Sequence, residues 1–465
     1  MPEPRTWQFT AGSAALGLVL AAAAVTAAGP WDGGQRTAER ARAAAPAAGG
    51  TRHAPPPAPA APRRPAPAPS APGVLTALHA PAPAARPADL AAVLVPLLAD
   101  PGLGPLRTAS VVDTATGKQL YGEGAGTPMT PASTVKIATT AAALSALGPD
   151  HRIPTTVTAT PDGTGVTLTG GGDPTLDPAR LGALAADTAR ALKARGHTSV
   201  RLAYDTSLYR GPALHPIGPN DNIAPVVALM TREGRLDDSR SGPAPRTADP
   251  ALDTATAFAD LLTRAGIKIT GAPAPGRTPQ AAPLARTYSD PLADLVERTL
   301  TNSDNDLAEA LARQTALARK QPASFQGAEK AVRDELTRLG APVAGARFAD
   351  GSGLDRRDRV SAALLTGLLT RAADPARPAL RPLLTGLPVG GFTGTLANRY
   401  DTAPAGLGLI RAKTGTLTGV NTLAGTVVTP DGRLLAFAFL AGRTLSPYEA
   451  QPALDRLSAA LAGRK

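Results

Sequence analysis

The stretch Thr130-Pro131-Ala132-Ser133-Thr134-Val135-Lys136, continued by the Ala- and Leu-rich run to Leu147, sets a serine and a lysine three residues apart. The lysine stands out, because the chain's 48 basic residues divide into 40 arginines and 8 lysines. Thr130 is placed to cap a helix and Pro131 suits its first turn, so a helix is expected from there to about Leu147. On that helix Ser133 and Lys136 share a face. A serine hydroxyl is a weak nucleophile until a base takes its proton. Lysine becomes such a base when burial or nearby positive charge lowers its pKa, whereas arginine keeps its proton. The start of a helix also favours negative charge developing near Ser133. Taken alone, S-x-x-K equally describes an ordinary surface helix.

Two further motifs change the weight of the first. Ser303-Asp304-Asn305 falls between two helical stretches in TLTNSDNDLAEAL, where by itself it would read as a helix-capping turn. Lys413-Thr414-Gly415-Thr416 opens a C-terminal meander on an expected strand, where by itself it would be a surface lysine. Glycine at 415 is expected to let a ligand approach the backbone. S-x-x-K, then S-D-N, then K-T-G, in this order and on these elements, is the signature set of penicillin-binding proteins and class A β-lactamases.

Ser133 and Ser303 lie 170 residues apart, more than a single-domain β-lactamase needs. The interval carries Gly170-Gly171-Gly172-Asp173-Pro174, Asp205-Thr206-Ser207-Leu208-Tyr209 and Ala224-Pro225-Val226, and Asp350-Gly351-Ser352-Gly353-Leu354 and Gly394-Thr395-Leu396 follow S-D-N. With these pieces the chain, from about residue 90 to 462, resembles the low-molecular-mass class C penicillin-binding proteins of the penicillin-binding protein 4 type. These are D-alanyl-D-alanine carboxypeptidase/endopeptidases of peptidase family S13. The resemblance implies a β-lactamase/transpeptidase-like fold of mixed α/β (α+β) class. In that fold an antiparallel sheet is flanked by helices, with a β-rich inserted module between the S-x-x-K and S-D-N motifs.

It also implies roles. Ser133 would be acylated by the penultimate D-Ala carbonyl of a peptidoglycan stem peptide, with Lys136 as general base and Ser303 relaying protons to the leaving amine. Asn305 would hold the substrate amide. Lys413 would supply positive potential, and Thr414 and Thr416, on either side of Gly415, would bind the terminal carboxylate. Backbone N–H groups of Ser133 and Thr416 would form the oxyanion hole. β-Lactams would act as covalent inhibitors, and no metal or other cofactor is implied. The insert, residues 151–290, is short for the family. Asp221, in GPNDNIAP, falls where the family senses a diamino-acid side chain, in a loop that looks shortened. Asp350 to Leu354 would shape the site wall. Two alternatives stand beside this reading. A serine β-lactamase would need a deacylating base, and no E-x-x-x-N element stands at the usual place. A non-catalytic cell-wall-binding protein on the same fold would have no use for the intact set of lysines, serines and Asn305.

The remainder of the chain gives the setting. Thr10 to Gly29 is uncharged, with an apolar centre and Thr26-Ala27-Ala28 as a small-residue cleavage site, so residues 1–29 read as a secretory signal peptide or as a membrane anchor through residues 10–29. Residues 30–88, rich in Pro and Ala, read as a disordered spacer. The boundaries that follow are 89–150 and 291–465 for the two parts of a transpeptidase-like domain, around the module at 151–290. The chain is accordingly expected to be exported and to work outside the cytoplasm, in the cell wall or at the membrane.

Of the net charge of +11, residues 1–88 hold +5 (eight Arg against three acids), leaving +6 for the rest. That diffuse excess, without a basic run interleaved with aromatics, suits an anionic wall and excludes nucleic-acid binding. Cysteine is absent, so disulfides and thiolate metal sites are excluded. The histidines 53, 79, 151, 197 and 215 show no metal-ligand spacing and are each expected at the surface.

Overall fold

The computed structural model describes residues 87–463, so the signal or anchor and nearly all of the spacer lie outside the described residues. The first helix, α1 (Pro87–Leu98), leads into the hairpin β1 (Leu106–Asp113) and β2 (Gln119–Glu123), then α2 (Lys136–Leu147). The interval that follows holds β3 (Pro154–Ala159), β4 (Gly165–Thr169), α3 (Pro178–Lys193), β5 (Ser199–Asp205), α4 (Pro250–Arg264), β6 (Lys268–Ile269), β7 (Ala274–Pro275) and β8 (Ala285–Tyr288). Helices α5 (Leu292–Thr301), α6 (Asn305–Ala318), α7 (Phe325–Arg338), α8 (Ala362–Ala373) and the short α9 (Pro382–Thr385) come next. Strands β9 (Ile410–Leu417), β10 (Val420–Val428) and β11 (Leu434–Gly442) and helix α10 (Pro447–Ala462) complete the chain.

The chain ends meet in one antiparallel sheet of order β2-β1-β11-β10-β9. Its two faces are both apolar, and β11 shows why. Leu435, Phe437, Phe439 and Ala441 pack with residues of α1 and α10, while Ala436, Ala438 and Leu440 pack with α2, α5, α6, α7 and α8. Alternation along a strand thus serves two helical layers, and a run without polar positions is what a sheet covered on both sides requires. The expected antiparallel sheet flanked by helices is present.

The interval between α2 and α5 builds a second sheet of order β6-β5-β4-β3-β8, with β7 also on β5. It is mixed: β3 pairs antiparallel with β4 and β8, and β5 parallel with β4, β6 and β7. Its apolar centre, including Val157, Leu168, Leu184, Leu202 and Phe258, is distinct from the two cores of the first sheet. Beside the strands of this insert stand two helices, α3 and α4, which the sequence reading did not place. Both begin at an Asp-Pro pair. Asp177 accepts the Arg180 N–H at 2.8 Å, Asp249 accepts that of Leu252 at 3.0 Å, and proline fills the first helical position. In α3, buried Leu181, Leu184, Ala185, Thr188, Ala189 and Leu192 form a helical stripe. No helix among the described residues is long and apolar enough to cross a membrane.

Candidate active site

Ser133 does not sit on an α-helix that starts at Thr130, as its sequence suggested. Ala132 takes φ +48°, in the left-handed region, which interrupts any helix there, and Ala132–Val135 form one 3-10 turn before α2 begins at Lys136. Thr130 is no cap; its hydroxyl accepts a bond from Arg359 at 2.9 Å. The turn is fastened through the Pro131 carbonyl, which accepts from Thr134 Oγ1 and from Thr422 Oγ1 of β10, each at 2.7 Å.

Within this turn the serine and lysine still face each other. Lys136 Nζ lies 3.1 Å from Ser133 Oγ, 2.7 Å from Asn305 Oδ1 and 2.6 Å from the Ser352 carbonyl oxygen. The lysine is wholly buried. Burial lowers its pKa to about 8, against Asp350, Asp304, Glu309 and Asp358, whose charges pull the other way. Protonated, the ammonium has three hydrogens for three acceptors. After loss of one proton, two hydrogens satisfy Asn305 and Ser352, the shorter contacts, and the lone pair faces Ser133.

Asn305 is delivered by the start of α6. Asp304 caps that helix by accepting the Leu307 N–H at 3.0 Å, and Arg298 Nε donates to the other Asp304 oxygen at 3.2 Å. The motif therefore does form a helix-capping turn, and the same turn sets Asn305 beside Lys136. Ser303 sits just ahead, half-buried with φ +60°, and among the described residues its hydroxyl bonds to none of the other site groups.

Strand β9 brings the third motif. Lys413 is fully buried and its Nζ donates to the Thr414 carbonyl at 2.9 Å. Burial, and then the charge of Lys136, push its pKa well below that of an ordinary lysine. Thr414 Oγ1 donates to Thr395 Oγ1 at 2.8 Å, and Thr416 is exposed. Gly415 faces the serine turn. A β-carbon there would lie 2.6 Å from the Pro131 carbonyl oxygen, 3.1 Å from Ser133 N and 2.1 Å from Thr422 Oγ1. Its smallness admits the protein's own serine turn.

The Asp350 to Leu354 loop closes the floor. Gly353 has φ +86°, and a β-carbon there would meet the Ala132 carbonyl oxygen at 2.0 Å. Glu309 of α6 accepts from Gly351 N at 2.8 Å and Ser352 N at 3.0 Å, and is itself bonded by Arg313 at 2.8 Å. The sequence placed this loop at the wall but missed its carbonyl as a lysine contact; nothing in a side-chain pattern announces a carbonyl.

The insert also reaches the site, at the motif residues themselves. The Asn222 carbonyl accepts from Asn305 Nδ2 at 3.0 Å, and Ala224 N donates to Asp306 at 2.9 Å. Asp221 is exposed beside this strap. His215, expected at the surface, is 2% exposed and contacts Asp350. Metal-binding atoms of His215, Glu309 and Asp350 fall within 4.8 Å of one another, yet each side chain is already engaged in the bonds of this loop.

Residues 90–241 and 237–461 match the family described as D-Ala-D-Ala carboxypeptidase 3 (S13). The carboxypeptidase DacB of Mycolicibacterium smegmatis is 40% identical over 401 residues, covering 83% of this chain and 85% of that protein. A Mycobacterium tuberculosis carboxypeptidase is 36% identical over 410 residues, with 79% and 87% covered. In fold, the chain is similar to the crystal structure of penicillin binding protein 4 from Haemophilus influenzae. The TM-score is 0.66 at 23% identity, with 81% of this chain and 98% of that one covered.

Proposed function

The chain belongs to the D-Ala-D-Ala carboxypeptidase 3 (S13) family, and from that premise we propose how its residues divide the work. It is a serine-type D-alanyl-D-alanine carboxypeptidase/endopeptidase acting on peptidoglycan stem peptides. Membership favours this over the β-lactamase and the non-catalytic alternatives.

In the reaction we assign, neutral Lys136 takes the hydroxyl proton as Ser133 Oγ attacks the penultimate D-Ala carbonyl. The carbonyl oxygen gathers negative charge and is met by the backbone N–H groups of Ser133 and Thr416. The C–N bond then breaks. The proton passes from Lys136 by way of Ser303 to the departing amine, and D-Ala, or the crosslinked partner peptide, leaves. Water then attacks the acyl-serine as Lys136 takes its proton, the C–Oγ bond breaks, and Lys136 returns that proton to Ser133 Oγ. Asn305 orients the substrate amide while its Oδ1 steadies Lys136. Lys413, with Thr414 and Thr416 around Gly415, receives the terminal carboxylate. That anion offsets the cost of charging a buried ammonium. β-Lactams present the same carbonyl and carboxylate and would acylate Ser133 in the same way.

The observation that carries the assignment is one buried lysine with three contacts, 3.1 Å from the one hydroxyl it would deprotonate. The setting belongs to the proposal too: residues 1–29 export or anchor the chain, residues 30–88 span from there, and the enzyme works outside the cytoplasm on the wall. Incubating the chain with muropeptides ending in D-Ala-D-Ala tests it. Release of D-alanine and cleavage of D,D-crosslinked dimers, both lost in Ser133→Ala, are expected. A folded wild-type chain that leaves both substrates intact would overturn the reading.

A further inference from the structure

His215 belongs to the long connection between β5 and α4, in the insert, yet it ends beneath the catalytic floor. A backbone N–H can only donate, and that of Ile217 points to His215 Nδ1 at 3.3 Å. Nδ1 therefore carries no hydrogen, and Nε2–H donates to Asp350 Oδ2 at 2.9 Å. The ring is held edge-on against Phe325 at 5.4 Å, and the Arg313 guanidinium covers that phenyl ring at 4.2 Å. Asp350 in turn knots its own loop. One oxygen accepts from Gly353 N at 2.6 Å, and the other from Ser352 Oγ and Asp355 N, each at 2.9 Å. That loop offers the Ser352 carbonyl to Lys136 at 2.6 Å and presses Gly353 against Ala132, next to Ser133.

We propose that His215 is a positioning residue through which the inserted module fixes the general base: it holds Asp350, and Asp350 holds the carbonyl that holds Lys136. The inference rests on the Ser133–Lys136 reading above. It gives the insert a part in the chemical step in addition to any part in substrate choice. Asp350 has other donors, so losing His215 leaves the loop formed but freer to shift. A shift of about an ångström in a catalytic group costs on the order of a hundredfold in rate.

The test uses the full chain and a fluorescent penicillin, with acylation followed over a range of label concentrations so that binding and the acylation step are separated. His215→Leu keeps bulk and loses the donor. His215→Gln keeps an N–H near the position of Nε2. His215→Asn keeps an amide that stops short of Asp350. The Leu variant should acylate about tenfold to a hundredfold more slowly with its binding constant little changed. Gln should return to within about threefold of wild type. Should Leu fail to fold, the Asn–Gln pair makes the same comparison, with Asn expected slow. Variants that all acylate near the wild-type rate, or that slow only in proportion to lost thermal stability with no rescue by Gln, would overturn the proposal. A wild-type chain that takes no label would count against the site assignment itself, a result distinct from any of these.

Discussion

Lys136 Nζ and Ser133 Oγ lie 3.1 Å apart, with the lysine sealed from solvent and its other two contacts supplied by Asn305 and Ser352. Each of the three comes from a different segment, so the base is oriented by the fold as a whole. Replacing Lys136 by Arg keeps a positive charge but gives a group that holds its proton at any working pH. Acylation of Lys136→Arg should fall by about 10²–10⁴-fold. Penicillin-labelling rates for folded wild type and variant decide it, and near-equal rates would mean that this lysine is not the base.

The same burial sets a pH dependence. With Lys136 lowered to about 8, the reactive neutral amine becomes available at lower pH than for an ordinary lysine. The sign is fixed: only the unprotonated form accepts the serine proton. Acylation should therefore rise about tenfold per unit while the pH is below about 8 and level off above it. Stopped-flow labelling from about pH 6 to about pH 10 reads this directly. A rate that stays flat or declines as the pH rises through this range would contradict it.

Gly415 offers a test of packing independent of protonation. Any β-carbon there drives into Pro131 O, which Thr422 of β10 holds, and toward Ser133 N, both of them backbone atoms. Gly415→Ala should lose about 1–3 kcal/mol of stability from overpacking. It should also acylate at least about tenfold more slowly, because the serine turn is what must move. Thermal unfolding and labelling together check this, and a variant matching wild type in both would show that strand and turn are not so tightly apposed.

How much of this was readable beforehand depends on the kind of signal. Ser133, Lys136, Asn305 and Lys413 lie in compact motifs whose order implied one fold, and β9, β10 and β11 form the C-terminal meander expected at the third motif. The left-handed Ala132 was hidden, because alanine carries no mark of positive φ. Helices α3 and α4 went unread in the insert although their Asp-Pro starts were legible. His215, Asn222 and the Ser352 carbonyl are long-range partners of Asp350, Asn305 and Lys136, and no local pattern encodes such pairings.

Ser133 is the residue expected to form the acyl bond. Wild-type protein is treated with benzylpenicillin, digested, and the fragments are weighed by mass spectrometry. One penicilloyl group on the fragment containing Ser133, absent from Ser133→Ala, is the predicted result. A folded wild-type chain that carries the adduct on another residue, or carries none, would contradict the account.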